Sequence, residues 1–304
     1  MGDQRFIKRP VWRQALSTLI SSSSLTSASA FTLTLLIGVW AAYDRPVAWV
    51  RFALLAGGVV VALAIVAIGR WTGARGLTVV AYGCGVLAAA IGLYFVLTYD
   101  WQARGIVKIP GLYPAGLWVQ AHRPAVPVPE DIHSNVAGGA IVLCGLLGAG
   151  GVGQARRQGW PRLIVWAGLA ALVCAGIALL MTVSRGAWIG LAAGASLAGF
   201  AVLRQRARVN QWLVNGAFVL ACALLATVLL VTLFPPAALA GLTDSRVASR
   251  PQLWRWGLDL IADYPFTGSG LGSTMMVLSS YALMLHVGFI HHVHNLYLQV
   301  AVEQ

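Results

Sequence analysis

Residues 163–182 read LIVWAGLAALVCAGIALLMT, a stretch of 20 residues without a charged side chain. A helix needs about 20 predominantly apolar residues to cross the roughly 30 Å of hydrocarbon in a membrane. The stretch therefore predicts a transmembrane helix. Apolar and polar residues do not alternate in it, as they would in the strands of a membrane β-barrel.

Similar apolar runs occur along most of the chain. Six further complete spans are predicted at Leu25–Ala42, Val47–Ile68, Leu77–Leu97, Val136–Val152, Ala187–Leu203 and Trp212–Leu233, and an eighth span begins near Leu296. The sequence thus predicts an all-α, polytopic membrane protein with about seven to eight transmembrane helices.

The composition agrees with this fold class. Of the 304 residues, 59% are hydrophobic and 10% are charged, and the mean hydropathy is +0.77. These values exclude an ordinary soluble domain. The four cysteines, Cys84, Cys144, Cys174 and Cys222, fall within predicted spans and lack CxxC spacing, which indicates packing residues.

The formal charge of +12 comes from basic residues that are distributed unevenly between the two predicted sides of the membrane, and this distribution indicates the orientation of the chain. With the N-terminus in the cytoplasm, twelve bases and one acid lie inside, and nine bases and seven acids lie outside. The inside bases are Arg5, Lys8, Arg9, Arg13, Arg70, Arg75, Arg156, Arg157, Arg162, Arg204, Arg206 and Arg208. This asymmetry follows the positive-inside rule and indicates contact with anionic lipid rather than with nucleic acid.

The chain divides into three predicted parts. Residues 1–24 form a cytoplasmic tail, residues 25–131 hold the first transmembrane helices and a first outside loop, and residues 132–304 form a second membrane domain. That domain contains a long outside loop at about 234–295. All six histidines lie in the two outside loops, which disfavours a proton-coupled carrier because such carriers place titratable groups near the bilayer centre.

The second outside loop contains a predicted amphipathic helix. Ser249 can cap a helix from Arg250 to about Ala262, with Pro251 in its first turn. Its apolar stripe comprises Leu253, Trp256, Leu260 and Ile261. The stripe predicts that the helix lies along the membrane interface or against the transmembrane helices.

Three motifs have alternative interpretations on the residues alone. The glycine-rich run at 268–272 resembles a phosphate loop only superficially, because no buried strand precedes it. His291, His292 and His294 could bind zinc, but adjacent histidines point apart and no other ligand type lies close before them. Arg185 in the turn Ser184-Arg185-Gly186 could be an ordinary interfacial arginine.

Four stretches taken in order are similar to a known family. They are His133-Ser134-Asn135, Thr182-Val183-Ser184-Arg185-Gly186, Arg250 through Trp254 with Asp263-Tyr264-Pro265-Phe266-Thr267-Gly268-Ser269-Gly270, and His294-Asn295-Leu296-Tyr297-Leu298 leading to Glu303. This set resembles the O-antigen ligase and polymerase family of bacterial membrane glycosyltransferases, described by its Wzy-type C-terminal domain. The resemblance covers roughly residues 132–304.

The resemblance implies a GT-C-like fold in the bacterial inner membrane and an active face in the periplasm. Its members move a glycan from an undecaprenyl diphosphate carrier to an acceptor hydroxyl on a glycan, glycolipid or protein. It implies no cofactor and no metal. Arg185 and Arg250 are then the expected diphosphate ligands and His294 the expected catalytic base, because guanidinium groups hold diphosphate and histidine titrates near neutral pH. The expected supporting residues are Asn295, Tyr297, Ser184 and Asn135.

The sequence departs from the family pattern near its end. Relatives continue through further helices, so we expect this chain to be truncated at the C-terminus and doubtful in activity. Glu303, about 13 Å along the helix from His294, is expected to be an unpaired carboxylate within the membrane. Two other functions compete with a transferase: a carrier or flippase for polyprenyl-linked saccharide, and a non-catalytic membrane scaffold.

Overall fold

The computed structural model describes residues 22–104, 112–123, 132–204, 210–233, 250–282 and 295–303. These residues form eleven α-helices and no strand. In chain order they are α1 (Ser22–Ala41), α2 (Arg45–Thr98), α3 (Trp101–Arg104), α4 (Leu112–His122), α5 (Ser134–Arg157), α6 (Arg162–Thr182), α7 (Arg185–Arg204), α8 (Gln211–Leu233), α9 (Arg250–Asp263), α10 (Thr274–Ala282) and α11 (Leu296–Glu303). The all-α prediction is confirmed for this part of the chain.

Four described helices, α2, α5, α6 and α7, are long and apolar enough to cross a membrane. Large apolar side chains on them are exposed, among them Leu54 at 72%, Val60 at 64% and Leu143 at 65%. Water would not favour such a surface, whereas lipid tails would. The helices therefore belong to a helical membrane protein, and the full count of seven to eight spans stays a prediction.

The 54-residue helix α2 covers two predicted spans, Val47–Ile68 and Leu77–Leu97. Gly73 interrupts it with φ 63° and ψ −145°. Essentially only glycine adopts this conformation without strain, because it lacks a Cβ atom. The helix is therefore two helical segments that meet at Gly73.

The chain forms two compact units. The central unit comprises Trp71–Thr232, and the terminal unit comprises Met1–Arg70 together with Leu233–Gln304. The second segment of α2 and helices α3 to α8 belong to the central unit. Helices α1, α9, α10 and α11 and the first segment of α2 belong to the terminal unit.

Small residues bring the helices of the central unit into close contact. A Cβ atom added to Gly92 would lie 2.5 Å from the Ala178 Cβ atom, and one added to Gly168 would lie 2.6 Å from the Tyr82 ring. Close approach through small residues is the usual way membrane helices pack, since lipid gives no hydrophobic drive for their association. The buried core here includes Ala88, Ile141, Val142, Ala175, Ala178, Leu179 and Ala187.

Basic residues gather at one end of the central unit. The Gln158 side chain donates to Thr78 Oγ1 at 2.9 Å, and the Tyr82 hydroxyl donates to the Ile164 carbonyl at 2.8 Å. These bonds join the end of α5 and the start of α6 to the second segment of α2. The arginines that lie near this end are Arg75, Arg156, Arg157 and Arg162. Their common placement agrees with a shared cytoplasmic side, which itself stays a prediction.

The segment Thr98–Asn135, predicted to be the first outside loop, contains helices that the sequence pattern did not predict. Helices α3 and α4 lie in it, and the buried Trp101 ring packs against Gly116. Trp101 also forms edge contacts with Phe95 and Tyr99, at centroid distances of 5.9 and 4.9 Å. This aromatic cluster gives the loop a core of its own.

The cysteine prediction is correct for only part of the set. Cys84 and Cys144 are partly buried in the central unit, whereas Cys174 and Cys222 are exposed on α6 and α8. Packing was therefore the wrong interpretation for Cys174 and Cys222. Their apolar character instead suits a helix surface that faces lipid.

Candidate functional site

Two of the predicted motifs meet in the central unit. Helix α5 begins directly after His133, and the turn between α6 and α7 carries Ser184. A Cβ atom added to Gly138, in the first turns of α5, would lie 3.0 Å from the Cβ atoms of Ser184 and Ala187. The α5 start, with Asn135, and the Ser184 turn therefore lie at the same end of the unit, opposite the basic end.

A local hydrogen-bond pattern shapes the Ser184 turn. Val183 takes a left-handed conformation with φ 51° and ends α6. Thr182 Oγ1 accepts from the Ser184 backbone N–H at 3.3 Å, and Ser184 Oγ accepts from the Ala187 N–H at 3.4 Å. Thr182 and Ser184 are both buried. Ser184 is thus the N-cap of α7, a structural role in addition to the supporting role expected for it.

Arg185 is the first residue of α7, and it is exposed. No carboxylate among the described residues forms an ion pair with it. A helix N-terminus also presents backbone N–H groups and the positive end of the helix dipole. This end of α7 is therefore electrostatically suited to an anion.

His133 and Asn135 share the start of α5. The His133 Nδ1 atom accepts from the Asn135 backbone N–H at 3.2 Å, so the imidazole caps the helix. The Asn135 side chain is exposed at this end. The first motif therefore combines a helix cap with an exposed amide.

The third and fourth motifs meet in the terminal unit. Leu298 of α11 packs against the cluster that contains Leu253 of α9. Beyond the far end of α9, the Ser269 backbone N–H donates to the Val302 carbonyl at 2.7 Å. The two helices are therefore parallel, and their first residues lie at the same end.

That shared end brings Arg250 and Asn295 to one side of the terminal unit, since Arg250 begins α9 and Asn295 immediately precedes α11. The Asn295 Oδ1 atom accepts from the Leu298 N–H at 3.2 Å and so caps α11. His294 directly precedes Asn295 but lies outside the described residues, as do His291 and His292. The side chains of Arg250 and Tyr297 also lie outside them.

Helix α9 confirms the predicted amphipathic helix in its position and its buried face. It runs from Arg250 to Asp263, one residue beyond the predicted end. Leu253 and Leu260 are buried, and Trp256 packs against the same cluster as Leu253. The Leu253 and Trp256 part of the apolar stripe thus packs against α10 and α11. Ser249, the predicted cap, lies outside the described residues.

The glycine-rich loop at 268–272 uses its backbone N–H groups within the protein. Ser269 donates to Val302, and Leu271 donates to the Gly38 carbonyl at 2.8 Å. Gly270 has φ 89°, and a Cβ atom there would lie 2.5 Å from the Ala42 Cα atom. The glycine thus allows the loop to contact α1. Amides occupied in this way do not form a phosphate loop.

Glu303 corrects an expectation from the sequence. Its carboxylate is not unpaired, because the Arg51 guanidinium donates to Oε1 at 2.9 Å. The Thr274 hydroxyl and the Gln299 side-chain amide donate to the same oxygen at 2.7 and 2.6 Å. These partners compensate for the cost of removing the carboxylate from water, and this explains how Glu303 can be 5% exposed.

Arg51, Thr274 and Gln299 were not singled out from the sequence. The available signal was a base inside one predicted span and an acid inside another, since opposite charges in membrane helices commonly pair. Gln299 Nε2 also lies 2.7 Å from Thr274 Oγ1. We call Arg51, Thr274, Gln299 and Glu303 the Glu303 cluster.

The family model described as O-antigen ligase matches residues 170–304. Residues 170–304 belong to the O-antigen ligase family. No curated protein and no solved structure matches the chain.

The O-antigen ligase match begins within α6 and extends through α11. It contains Arg185, Arg250 and His294, whereas Asn135 and Arg51 precede it. The family is one of glycosyltransferase-like enzymes that act on glycan and lipid-linked substrates in a membrane. With the exposed apolar helices, it indicates an integral inner-membrane protein.

The O-antigen ligase domain also contributes to a cavity of about 410 Å³ in the terminal unit. Its lining residues are Tyr43, Tyr264, Met276, Val277 and Ser280. Tyrosine rings and a serine hydroxyl combine apolar contact area with hydrogen-bonding groups.

Proposed function

We propose that this protein transfers a glycan from undecaprenyl diphosphate to the hydroxyl of an acceptor sugar or protein, on the periplasmic face of the inner membrane. The observation that carries the proposal is the O-antigen ligase match over residues 170–304. That segment includes both candidate arginines and the candidate histidine. A GT-C-like fold and a cytoplasmic N-terminus are part of the proposal.

The proposed reaction forms one bond and breaks another at the anomeric carbon of the donor sugar. The acceptor oxygen attacks this carbon, and the bond between the carbon and the diphosphate oxygen breaks with inversion. Undecaprenyl diphosphate leaves with the bonding electrons, and the acceptor proton passes to His294. The leaving group is already activated, so the protein mainly has to hold its charge and orient the acceptor.

Two arginines are proposed to hold the diphosphate. Arg185 begins α7 and Arg250 begins α9, so each arginine is the first residue of a helix. Such ends favour anions through their backbone N–H groups and the helix dipole. Arginine adds a permanently charged fork of donors that matches phosphate oxygens.

His294 is the proposed base. It precedes Asn295, which caps α11 at the same end of the terminal unit as Arg250. A base beside the start of α11 would therefore lie on the side of the unit where the Arg250 end of α9 also lies. Asn135, Ser184, Asn295 and Tyr297 are proposed to support the substrate or the turns that carry these residues.

The experiment is glycan transfer by the full chain in a bacterial strain that lacks its own ligase. The variants are Arg185→Ala, Arg250→Ala and His294→Ala, compared at matched membrane abundance. Each has a matched control: Arg162→Ala is an exposed first residue of α6, Arg255→Ala is exposed on α9, and His122→Ala is exposed on α4.

We expect the three site variants to lose at least about a hundredfold in transfer rate and the three controls to keep it. Normal transfer by Arg185→Ala, Arg250→Ala and His294→Ala would contradict the proposal. The three residues would then be ordinary polar groups at the membrane interface. A carrier for polyprenyl-linked saccharide would instead move its substrate across the membrane without forming a product linked to the acceptor.

A further inference from the structure

The Glu303 cluster lies at the opposite end of α11 from the proposed base. Asn295, Gln299 and Glu303 recur at intervals of four residues and so follow one side of the helix. The far end of α11 is bound by Arg51 of α2 and by Thr274 of α10. The position of the whole helix therefore depends on these contacts.

Backbone contacts fix the same end of α11. The Ser269 N–H and hydroxyl both donate to the Val302 carbonyl, at 2.7 and 3.0 Å. A Cβ atom added to Gly38 of α1 would lie 2.9 Å from the Glu303 carbonyl oxygen. The C-terminal turn of α11 thus contacts α1, α2, α10 and the glycine-rich loop.

The ion pair is the polar contact that is hardest to replace. The Glu303 side chain is 6% exposed and the Arg51 side chain is 41% exposed. The Arg51 guanidinium therefore extends from a partly exposed position to a buried carboxylate. All three donors converge on the Oε1 atom of Glu303. Loss of the guanidinium would leave a buried charge with two neutral donors, so the helix would be held less firmly at this end.

We propose that Arg51 and Glu303 are positioning residues, which hold α11 in the register and rotation that place His294 toward the reacting sugar. The inference rests on the proposed function. Arg51 lies in α2, before the segment that the family model matches. The inference therefore makes a residue outside that segment important for the reaction. Neither Arg51 nor Glu303 is proposed to touch substrate.

Small displacements have large effects on group transfer, because a shift of about 1 Å can cost about a hundredfold in rate. Helix α11 has eight residues and is about 12 Å long, so a small tilt of the helix about Glu303 is enough to displace its other end by about 1 Å. Positioning should therefore affect the chemical step more than substrate binding.

The test measures kcat, and KM for donor and acceptor, with the full chain purified in lipid nanodiscs. The variants are Arg51→Gln, Glu303→Gln, the double variant Arg51→Gln/Glu303→Gln, and the conservative Arg51→Lys. Arg45→Gln is the matched control, because it removes an exposed guanidinium from the first turn of the same helix. The double variant leaves no unpaired charge and guards against loss of folding in the single variants.

We expect kcat to fall at least tenfold in Arg51→Gln and in the double variant, with both KM values within about twofold of wild type. Arg51→Lys should recover most of the loss, and Arg45→Gln should match wild type. A double variant with wild-type kcat would overturn the inference. A loss that follows protein abundance in every variant, Arg51→Lys included, would also overturn it.

His294→Ala separates this inference from the proposed function. If His294→Ala keeps transfer, the proposed base is wrong whatever the Arg51 variants do. If His294→Ala is inactive while Arg51→Gln and the double variant are fully active, the proposed function stands and the positioning role of Arg51 and Glu303 is wrong.

Discussion

Gly85 of α2 and Gly148 of α5 lie against each other so closely that a Cβ atom on Gly148 would be 2.3 Å from the Gly85 Cα atom. Gly151, one turn later on α5, lies in a similar position, with a Cβ atom there 2.4 Å from the Tyr82 nitrogen. Glycines on one side of α5 therefore set its distance from the second segment of α2. At exposed glycines on the same helix, such as Gly150, an added Cβ atom would meet no other atom within 4 Å.

This contrast predicts the effect of alanine at two nearby positions. Gly148→Ala should lower the free energy of unfolding by about 1–3 kcal/mol, because the methyl group forces two helix backbones apart. Gly150→Ala is the control, since its methyl group would enter open space. The measurement is the unfolding temperature of each purified variant in the same detergent. Equal unfolding temperatures would contradict the close contact between Gly85 and Gly148.

Thr182 predicts a second stability effect, in the turn that carries Arg185. Thr182→Val keeps the shape of the side chain but removes the acceptor for the buried Ser184 N–H, which should cost about 1–3 kcal/mol. Thr227→Val is the control, because the exposed Thr227 hydroxyl only donates to the Ala223 carbonyl within its own helix. Chemical unfolding in detergent would measure both, and equal stability of the two variants would argue against the Ser184 turn as described.

The charge distribution predicts the orientation of the central unit in the membrane. In a chain whose four cysteines are replaced by serine, a cysteine at His122 should react with a membrane-impermeant thiol reagent added to spheroplasts. A cysteine at Arg157 should react only after the membrane is permeabilised, because the basic end faces the cytoplasm by the positive-inside rule. Both side chains are exposed in the protein. The reverse labelling pattern would show that the predicted topology is inverted and that the proposed site lies on the cytoplasmic face.

Local pattern predicted the helices, and the resemblance of four ordered motifs to a family indicated the candidate residues. Unbroken apolar runs near 20 residues indicate membrane helices because an isolated backbone must satisfy its own hydrogen bonds in lipid. The stripe at Leu253 and Leu260 likewise predicted α9, since helix periodicity is a property of neighbouring residues. The interruption of α2 at Gly73 falls between the two predicted spans, Val47–Ile68 and Leu77–Leu97. The helices α3 and α4 were not predicted, because short loop helices carry weak periodicity.

Such local patterns could not predict which distant residues pair with each other. Arg51 and Glu303 are 252 residues apart, and nothing near either residue indicates its partner. Their pairing, the common end of α9 and α11, and the contact of Gly138 with the Ser184 turn depend on how the helices pack. The sequence alone identified membrane helices, because apolar runs are a local property, and its ordered motifs identified the candidate site residues through their resemblance to a family. Folding in three dimensions determined which of those residues are neighbours and gave Glu303 its partners, because a buried charge is stable only where packing brings compensating groups to it.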